Sequence, residues 1–235
     1  MKKSIFIINI ILGILTIVSD IFYAFYGGLW LKAITSLGFV LIGLVNLIYV
    51  CTTKNKKLKF TIFMFVGLVL SLIADVVLNI QFMIGAVIFA SAHILYIISY
   101  STLSKYTWKD LIPAGIIFIP SVLVITLVPI FDFGGILMEV ICVVYALIIS
   151  LMVGKAISNL IKDKKVSNWI IAIGSILFFI SDLMLLFDVF SNVDASTALI
   201  FDNLCLATYW PAQVLLAYSI YHKTTENQQK GDGNV

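Results

Sequence analysis

Residues 60–80 read FTIFMFVGLVLSLIADVVLNI, 21 positions with a single charged side chain, Asp75, and no proline. About 20 apolar residues at 1.5 Å rise are what an α-helix needs to cross the ~30 Å hydrocarbon core of a bilayer. The run is too long for a strand and shows no two-residue alternation, so it reads as a spanning helix. Lysines 54, 56, 57 and 59 border it on one side, and the polar break Asn79–Gln81 on the other. Working outward, runs of the same kind recur at 5–26, 29–51, 83–104, 111–130, 135–157, 169–190 and 199–222. Eight spans would use roughly 160 of the 235 positions.

Composition agrees. The chain is 62% apolar and 11% charged, against ~25% charged for an ordinary soluble domain. With mean hydropathy +1.12, a soluble enzyme, a disordered chain and a nucleic-acid binder with a basic face are excluded. The expected architecture is an all-α, multi-pass membrane protein. One eight-helix domain occupies 1–222, and a short, polar, disordered tail occupies 223–235. The net charge is +3, and all 15 basic residues are lysine, which we read as genome composition bias. Nearly every lysine falls at the termini or in the second, fourth and sixth connections; Lys32 alone lies toward the other side. The positive-inside rule then places both termini in the cytoplasm, as an even number of spans requires, with the cell membrane as the expected location. Met1-Lys2-Lys3 before an apolar run imitates a signal peptide, but no small-x-small cleavage site follows and Asp20 interrupts the run. Cys51, Cys142 and Cys205 stand singly in apolar runs and read as packing residues.

A charged side chain at the bilayer centre costs ~2.5–3.5 kcal/mol on insertion scales. Asp20, Asp75, Glu139, Asp182 and Asp202 all lie within spans, so facing lipid they would together cost about 12–17 kcal/mol. They must face each other, water or the bundle interior. Under the expected topology all five sit in the outer half, with Lys32 the only cation at that level, which implies a wet, net-acidic cavity opening outward. Helical spacing gathers polar residues onto single stripes. These are Asn9, Gly13, Thr16 and Asp20; Lys32, Ser36, Gly43 and Asn46; Ser71, Asp75 and Asn79; His93, Tyr96 and Tyr100; and Asp202, Tyr209 and Gln213. Small and hydroxyl residues commonly glue spanning helices together, so the Ser, Thr and Gly members read as packing. The acids, Lys32 and His93 read as functional.

An internal repeat points the same way. Ser71-Leu-Ile-Ala-Asp75 in span three resembles Phe178-Phe-Ile-Ser-Asp182 in span seven, each with Leu three residues on. Spans four apart that run in one direction imply parallel duplication of a four-helix unit, with Asp75 and Asp182 at related depths.

These motifs, with Gly85, Phe89, His93-Ile-Leu-Tyr96 and Thr208-Tyr209-Trp-Pro-Ala-Gln213, resemble the YhhN family, whose members include the vertebrate transmembrane protein 86 lysoplasmalogenases. The resemblance runs from Lys32 to about Ser219. Lys32 matches the Lys of a Lys-Pro element, Ala33 stands where that element has Pro, and Tyr145 with Met152 matches a feature of span six. Asp20 and Asp202 are additions to the pattern. The resemblance implies hydrolysis of the vinyl ether of a lysoplasmalogen to a fatty aldehyde and a glycerophospho-base, without cofactor or metal. Such a bond opens by protonation at its β-carbon, leaving an oxocarbenium ion that water traps. Two carboxyl groups in different environments suit that division of labour. Asp75 and Asp182 are the expected catalytic pair, their roles open. Lys32, His93, Tyr96, Tyr209, Gln213 and Asn79 are the expected substrate-binding residues, with a lysophospholipid and the surrounding membrane lipids as partners.

Two other classes fit part of this pattern. Intramembrane acids with a His would also serve a transporter of protons or a small cation, although no pair of short, Gly-Pro-broken spans occurs in the two halves. A non-catalytic membrane protein is the second, against which stand the intact Asp75, His93 and Asp182. A Ser-His-Asp hydrolase lacks its Gly-x-Ser-x-Gly element, and a metal-water hydrolase lacks His-x-x-x-His.

Overall fold

The computed structural model describes residues 2–53, 55 and 57–231, with side chains through Glu226. Among the described residues there are eight helices: α1 (Lys2–Tyr26), α2 (Leu29–Thr52), α3 (Leu58–Leu78), α4 (Phe82–Ser101), α5 (Leu111–Leu127), α6 (Ile136–Lys162), α7 (Val166–Phe190) and α8 (Ala195–Gly231). A 3-10 turn, Trp108–Asp110, leads into α5. Each helix is long and apolar enough to cross a membrane, so the chain is an integral, multi-pass membrane protein.

The ends of the helices follow local chemistry. Gly27 and Gly28, at φ 63° and 94°, turn α1 into α2 in a conformation that other residues rarely adopt. Helix α5 stops at Leu127, three residues before the expected end, because Pro129 forces Val128 into extended backbone (ψ 115°). Asp194 accepts hydrogen bonds from the backbone N–H of Ser196 and Thr197 and from the Thr197 hydroxyl, starting α8 early. Those bonds, the Thr197 hydroxyl first among them, hold the Asp194 carboxyl below the usual range. The polar tail expected to be disordered from 223 instead continues α8 to Gly231, and Lys223, Thr224 and Thr225 are buried. Residues 232–235 lie outside the described residues. Tyr221 near the end of α8 donates to the Lys2 carbonyl, so both ends of the chain share one face of the bundle.

The bundle is built polar-inside. On α1 the buried residues are Asn9, Gly13, Thr16 and Asp20, the stripe read from the sequence, while Ile7, Ile11 and Ile14 are exposed. Such a helix is stable only where hydrocarbon surrounds it. Helices α2, α3, α4, α6, α7 and α8 each pack on the next, and α8 closes on α2 to complete a ring. Helix α1 covers the α2–α8 seam from outside, and α5 lies on α6.

The pairings repeat between the halves. α1 on α2, α2 on α3 and α3 on α4 recur as α5 on α6, α6 on α7 and α7 on α8, and the α2–α8 contact recurs as α6–α4. Two pairings are not repeated among the described residues. The backbones of α1 and α3 both approach α8, but neither that of α5 nor that of α7 approaches α4 in the same way.

Candidate active site

The repeated motif places its two acids on opposite sides of one cavity inside the ring. The cavity encloses about 350 Å³ and is lined by Asp75 and Leu78 of α3, and by Asp182 and Leu185 of α7, the repeat-related pairs. Lys32, Ser181, Cys205 and Tyr209 line it as well, with Phe89 and Trp210. Rings of Phe89, Phe178 and Tyr209 meet edge-on beside it, with centroids 5.3–6.1 Å apart.

Each carboxyl is held the same way, by one group from the helix before it and one from the helix that closes the ring. Asp75 Oδ2 accepts from Ser36 Oγ of α2 (2.5 Å) and Tyr209 OH of α8 (2.8 Å). Asp182 Oδ2 accepts from Tyr145 OH of α6 (2.7 Å), and His93 Nε2 of α4 lies 3.1 Å away. Because the Tyr145 proton points to Asp182, its oxygen can accept from His93, whose Nε2 is 2.8 Å away. An Nε2–H on His93 fits both contacts and leaves the buried Nδ1, which has no partner among the described residues, as a bare lone pair, easier to bury than an unmatched N–H. In both acids the protein donors converge on Oδ2.

A chain of hydrogen bonds backs Asp75. Tyr96 OH donates to Gln213 Oε1 (3.0 Å), and Gln213 Nε2 donates to the Tyr209 oxygen (3.3 Å). With its proton committed to Gln213, Tyr96 must accept from Ser71 Oγ (3.3 Å). Every donor in the series Ser71, Tyr96, Gln213, Tyr209 points toward Asp75, an order in which successive bonds polarise one another.

Of the residues expected from sequence, Lys32, Asp75, Asp182 and Tyr209 line the cavity. His93, Tyr96 and Gln213 stand one layer behind, orienting those that do. Asn79 turns back to its own helix and donates to the Asp75 carbonyl (2.7 Å). Asp20 is buried on α1 with Oδ1 unpartnered, and neither it, Glu139 nor Asp202 lines the cavity. Ser36 lay on a recognised stripe but was read as packing. Tyr145 lay on no stripe at all. Among the described residues no set of three His, Cys, Asp or Glu side chains comes together as metal ligands.

A second, larger space of about 720 Å³ adjoins the first and shares Leu78, Phe89, Asp182 and Leu185 with it. Its walls are apolar, from Phe82 and Ala86 of α4, Ile125 of α5, Met138 of α6 and Phe190 of α7. It lies where α5 fails to reach α4, on the lipid-facing side of the ring. Asp182 and Tyr145 belong to this groove, whereas Asp75 and Lys32 do not.

The YhhN family pattern matches residues 29–220, most of the chain. The chain belongs to the YhhN family. No curated protein and no solved structure matches it. At the family level, YhhN membership supports a lysoplasmalogenase-like membrane protein. The matched range contains every residue of the two-carboxylate cavity and begins after α1, the helix that carries Asp20.

Proposed function

We propose that this protein is a hydrolase of the cell membrane that cleaves the vinyl ether of a lysoplasmalogen, giving a fatty aldehyde and a glycerophospho-base. The observation that carries this reading is that Asp182 sits where the cavity that holds Asp75 and Lys32 meets the apolar groove. A single-chain lipid has the same layout, with a charged head, a hydrocarbon chain and the scissile bond between them. Lys32 meets the phosphate, the chain lies in the groove, and the vinyl ether rests beside Asp182.

That placement divides the roles. The carbon to be protonated is the second of the chain and lies on the groove side, so Asp182 is the acid; the carbon that water attacks lies on the head side, so Asp75 orients the water. Asp182 gives its proton to the β-carbon and the π electrons leave an oxocarbenium ion. Water adds as Asp75 takes its proton. The hemiacetal then collapses, the proton held by Asp75 passing to the departing glycerol oxygen and the hemiacetal hydroxyl proton passing to Asp182, which releases the aldehyde and the glycerophospho-base, restores both carboxyls and consumes one water overall. Tyr145 and His93, both directed at Asp182 Oδ2, stabilise the carboxylate as its proton departs.

The test is to incubate purified protein with alkenyl and acyl lysophospholipids side by side, in water and in heavy water. The alkenyl substrate alone should turn over, more slowly in heavy water. The aldehyde, reduced at once to the alcohol, should carry one deuterium next to the former carbonyl carbon. Deuterium no higher than in an aldehyde control, or oxygen consumption during turnover, overturns carbon protonation by Asp182. No turnover of either substrate returns weight to transport of a proton or small cation.

A further inference from the structure

The face that carries both chain ends holds a second polar pocket, far from Asp75 and Asp182. It encloses about 430 Å³ between the α6–α7 turn, the end of α8 and the α2–α3 loop. Its wall includes Lys57, Lys162, Lys165 and Lys223 against two carboxylates, Asp163 and Glu226. Both carboxylates are engaged: Asp163 pairs with Lys165, and Glu226 accepts from the backbone N–H (2.9 Å) and hydroxyl (2.6 Å) of Ser167 at the start of α7. Lys162 reaches away to Asp110 (2.7 Å). Lys223 is different. Only 6% exposed, its ammonium donates to two neutral oxygens, Asn168 Oδ1 (2.7 Å) and Ser167 Oγ (3.1 Å). Buried charges are ordinarily bonded to an opposite charge; the pocket's carboxylates, Glu226 and Asp163, act on this ammonium only through space and are bonded to Ser167 and Lys165, and it borders a cavity whose wall carries three further lysines.

We propose that this pocket binds a phosphate group, supplied by the head of an anionic phospholipid in the adjoining leaflet. Phosphate has several oxygens to share among ammonium groups that converge from different elements, and lysine serves it as a point charge. The pocket lies at the ends of α6, α7 and α8, the level at which head groups meet a spanning bundle, and basic pockets between spanning helices on the lysine-rich side are built for such heads. Occupancy ties the α2–α3 loop and the α6–α7 turn to α8. It does not touch the two-carboxylate cavity, so the site is independent of the proposed hydrolysis.

The experiment uses the full chain in a neutral detergent, titrated separately with phosphatidylglycerol, phosphatidylcholine of the same chains and inorganic phosphate. Thermal unfolding and native mass spectrometry are the readouts. Phosphatidylglycerol should raise the unfolding temperature and remain bound, while phosphatidylcholine should do neither. Lys223→Met and Lys57→Gln should each weaken binding by about fivefold, the effect of one lysine near an anionic head. Lys109→Gln, outside the pocket, should leave it unchanged. If Lys223→Met does not fold, Lys57→Gln decides the question. A lysine-dependent shift with inorganic phosphate alone assigns the same pocket to the free ion. Neither anion shifting the native protein, or a shift that survives the pocket substitutions, overturns the proposal.

Discussion

Tyr145→Phe is the most informative single change at the candidate site, because it deletes one oxygen and leaves the buried ring in place. That oxygen donates to Asp182 Oδ2 at 2.7 Å and lies 2.8 Å from His93 Nε2. Removing it strands no group, since His93 keeps Asp182 at 3.1 Å and Asp182 keeps His93. The protein should therefore insert and fold, with a stability loss of about 0.5–1.5 kcal/mol, the net worth of a neutral hydrogen bond. Turnover should suffer more. A hydrogen bond to a charged group is worth about 1.5–3 kcal/mol, and Asp182 acquires its charge as it releases the proton. The difference between the charged and neutral forms, about 1–1.5 kcal/mol, appears in the barrier and not in binding, so kcat should fall by about 5- to 12-fold, with KM little changed.

The assay is alkenyl lysophospholipid hydrolysis by purified protein, with aldehyde release coupled to an alcohol dehydrogenase and the folded fraction set by thermal unfolding. Tyr100→Phe is the control. It removes the hydroxyl of a fully buried ring, bonded to Ser175 at 3.0 Å and not to a carboxylate, and should leave kcat within a factor of about two. Equal effects of the two substitutions, or Tyr145→Phe with normal kcat, would refute the assignment of Asp182 as the acid held by Tyr145.

Asp75→Asn and Asp182→Asn should each lower turnover by at least ~10²-fold with the protein still folded; near-normal activity in either would make that residue structural. Ala86→Phe fills the apolar groove from α4 and should cost roughly 0.8 kcal/mol per displaced methylene, so kcat/KM for a long-chain substrate should drop about 15-fold relative to one two methylenes shorter; an unchanged ratio would place the chain elsewhere. Gly85→Ala should destabilise by about 1–3 kcal/mol or more, because its Cβ would lie 2.5 Å from the Leu78 Cα and 2.6 Å from its N, whereas Gly115→Ala meets nothing within 4 Å and should stabilise by about 0.8–1 kcal/mol; melting temperatures of the two variants check both signs. Reporter fusions after Lys59, Lys109 and Lys165 should read cytoplasmic and those near Asp132 and Asp194 external; the reverse pattern would invert the proposed orientation.

The parts of the fold that could be read from sequence are those where one stripe carries its own signal. The α1 stripe of Asn9, Gly13, Thr16 and Asp20 is its buried face without exception, since lipid accepts none of those groups. The Asp75 and Asp182 repeat likewise predicts their shared cavity. Tyr145, reached through the family resemblance, escaped the stripe reading because its neighbours one turn away, Ile141, Cys142, Ile148 and Ile149, are all apolar. Nothing local distinguishes a ring that packs from one that reaches a carboxyl 37 residues away. Lys155 escaped for a related reason. It reads as the end of a span, but it is fully buried and held by Asp110 (3.0 Å) in the turn that leads into α5, and α6 runs on to Lys162.

The broken pairing of α5 with α4 was present in the sequence, in what α5 lacks. Helix α1 is fastened across its seam by reciprocal amide bonds between Asn9 and Asn46 (2.8 and 2.9 Å), by Ser19 with Thr35, and through Asn46 to the Ala217 carbonyl of α8. Its counterpart α5 offers two hydroxyls, Ser121 and Thr126, and each bonds back to its own helix. With no polar group to exchange and no hydrophobic drive between helices in lipid, α5 has no reason to close on α4. A duplicated unit would otherwise enclose both acids alike. The missing closure leaves the Asp182 side open to hydrocarbon while α1 covers the Asp75 side, and in the proposed reaction this is what makes two equivalent carboxyls an acid beside the chain and a partner beside the charged head.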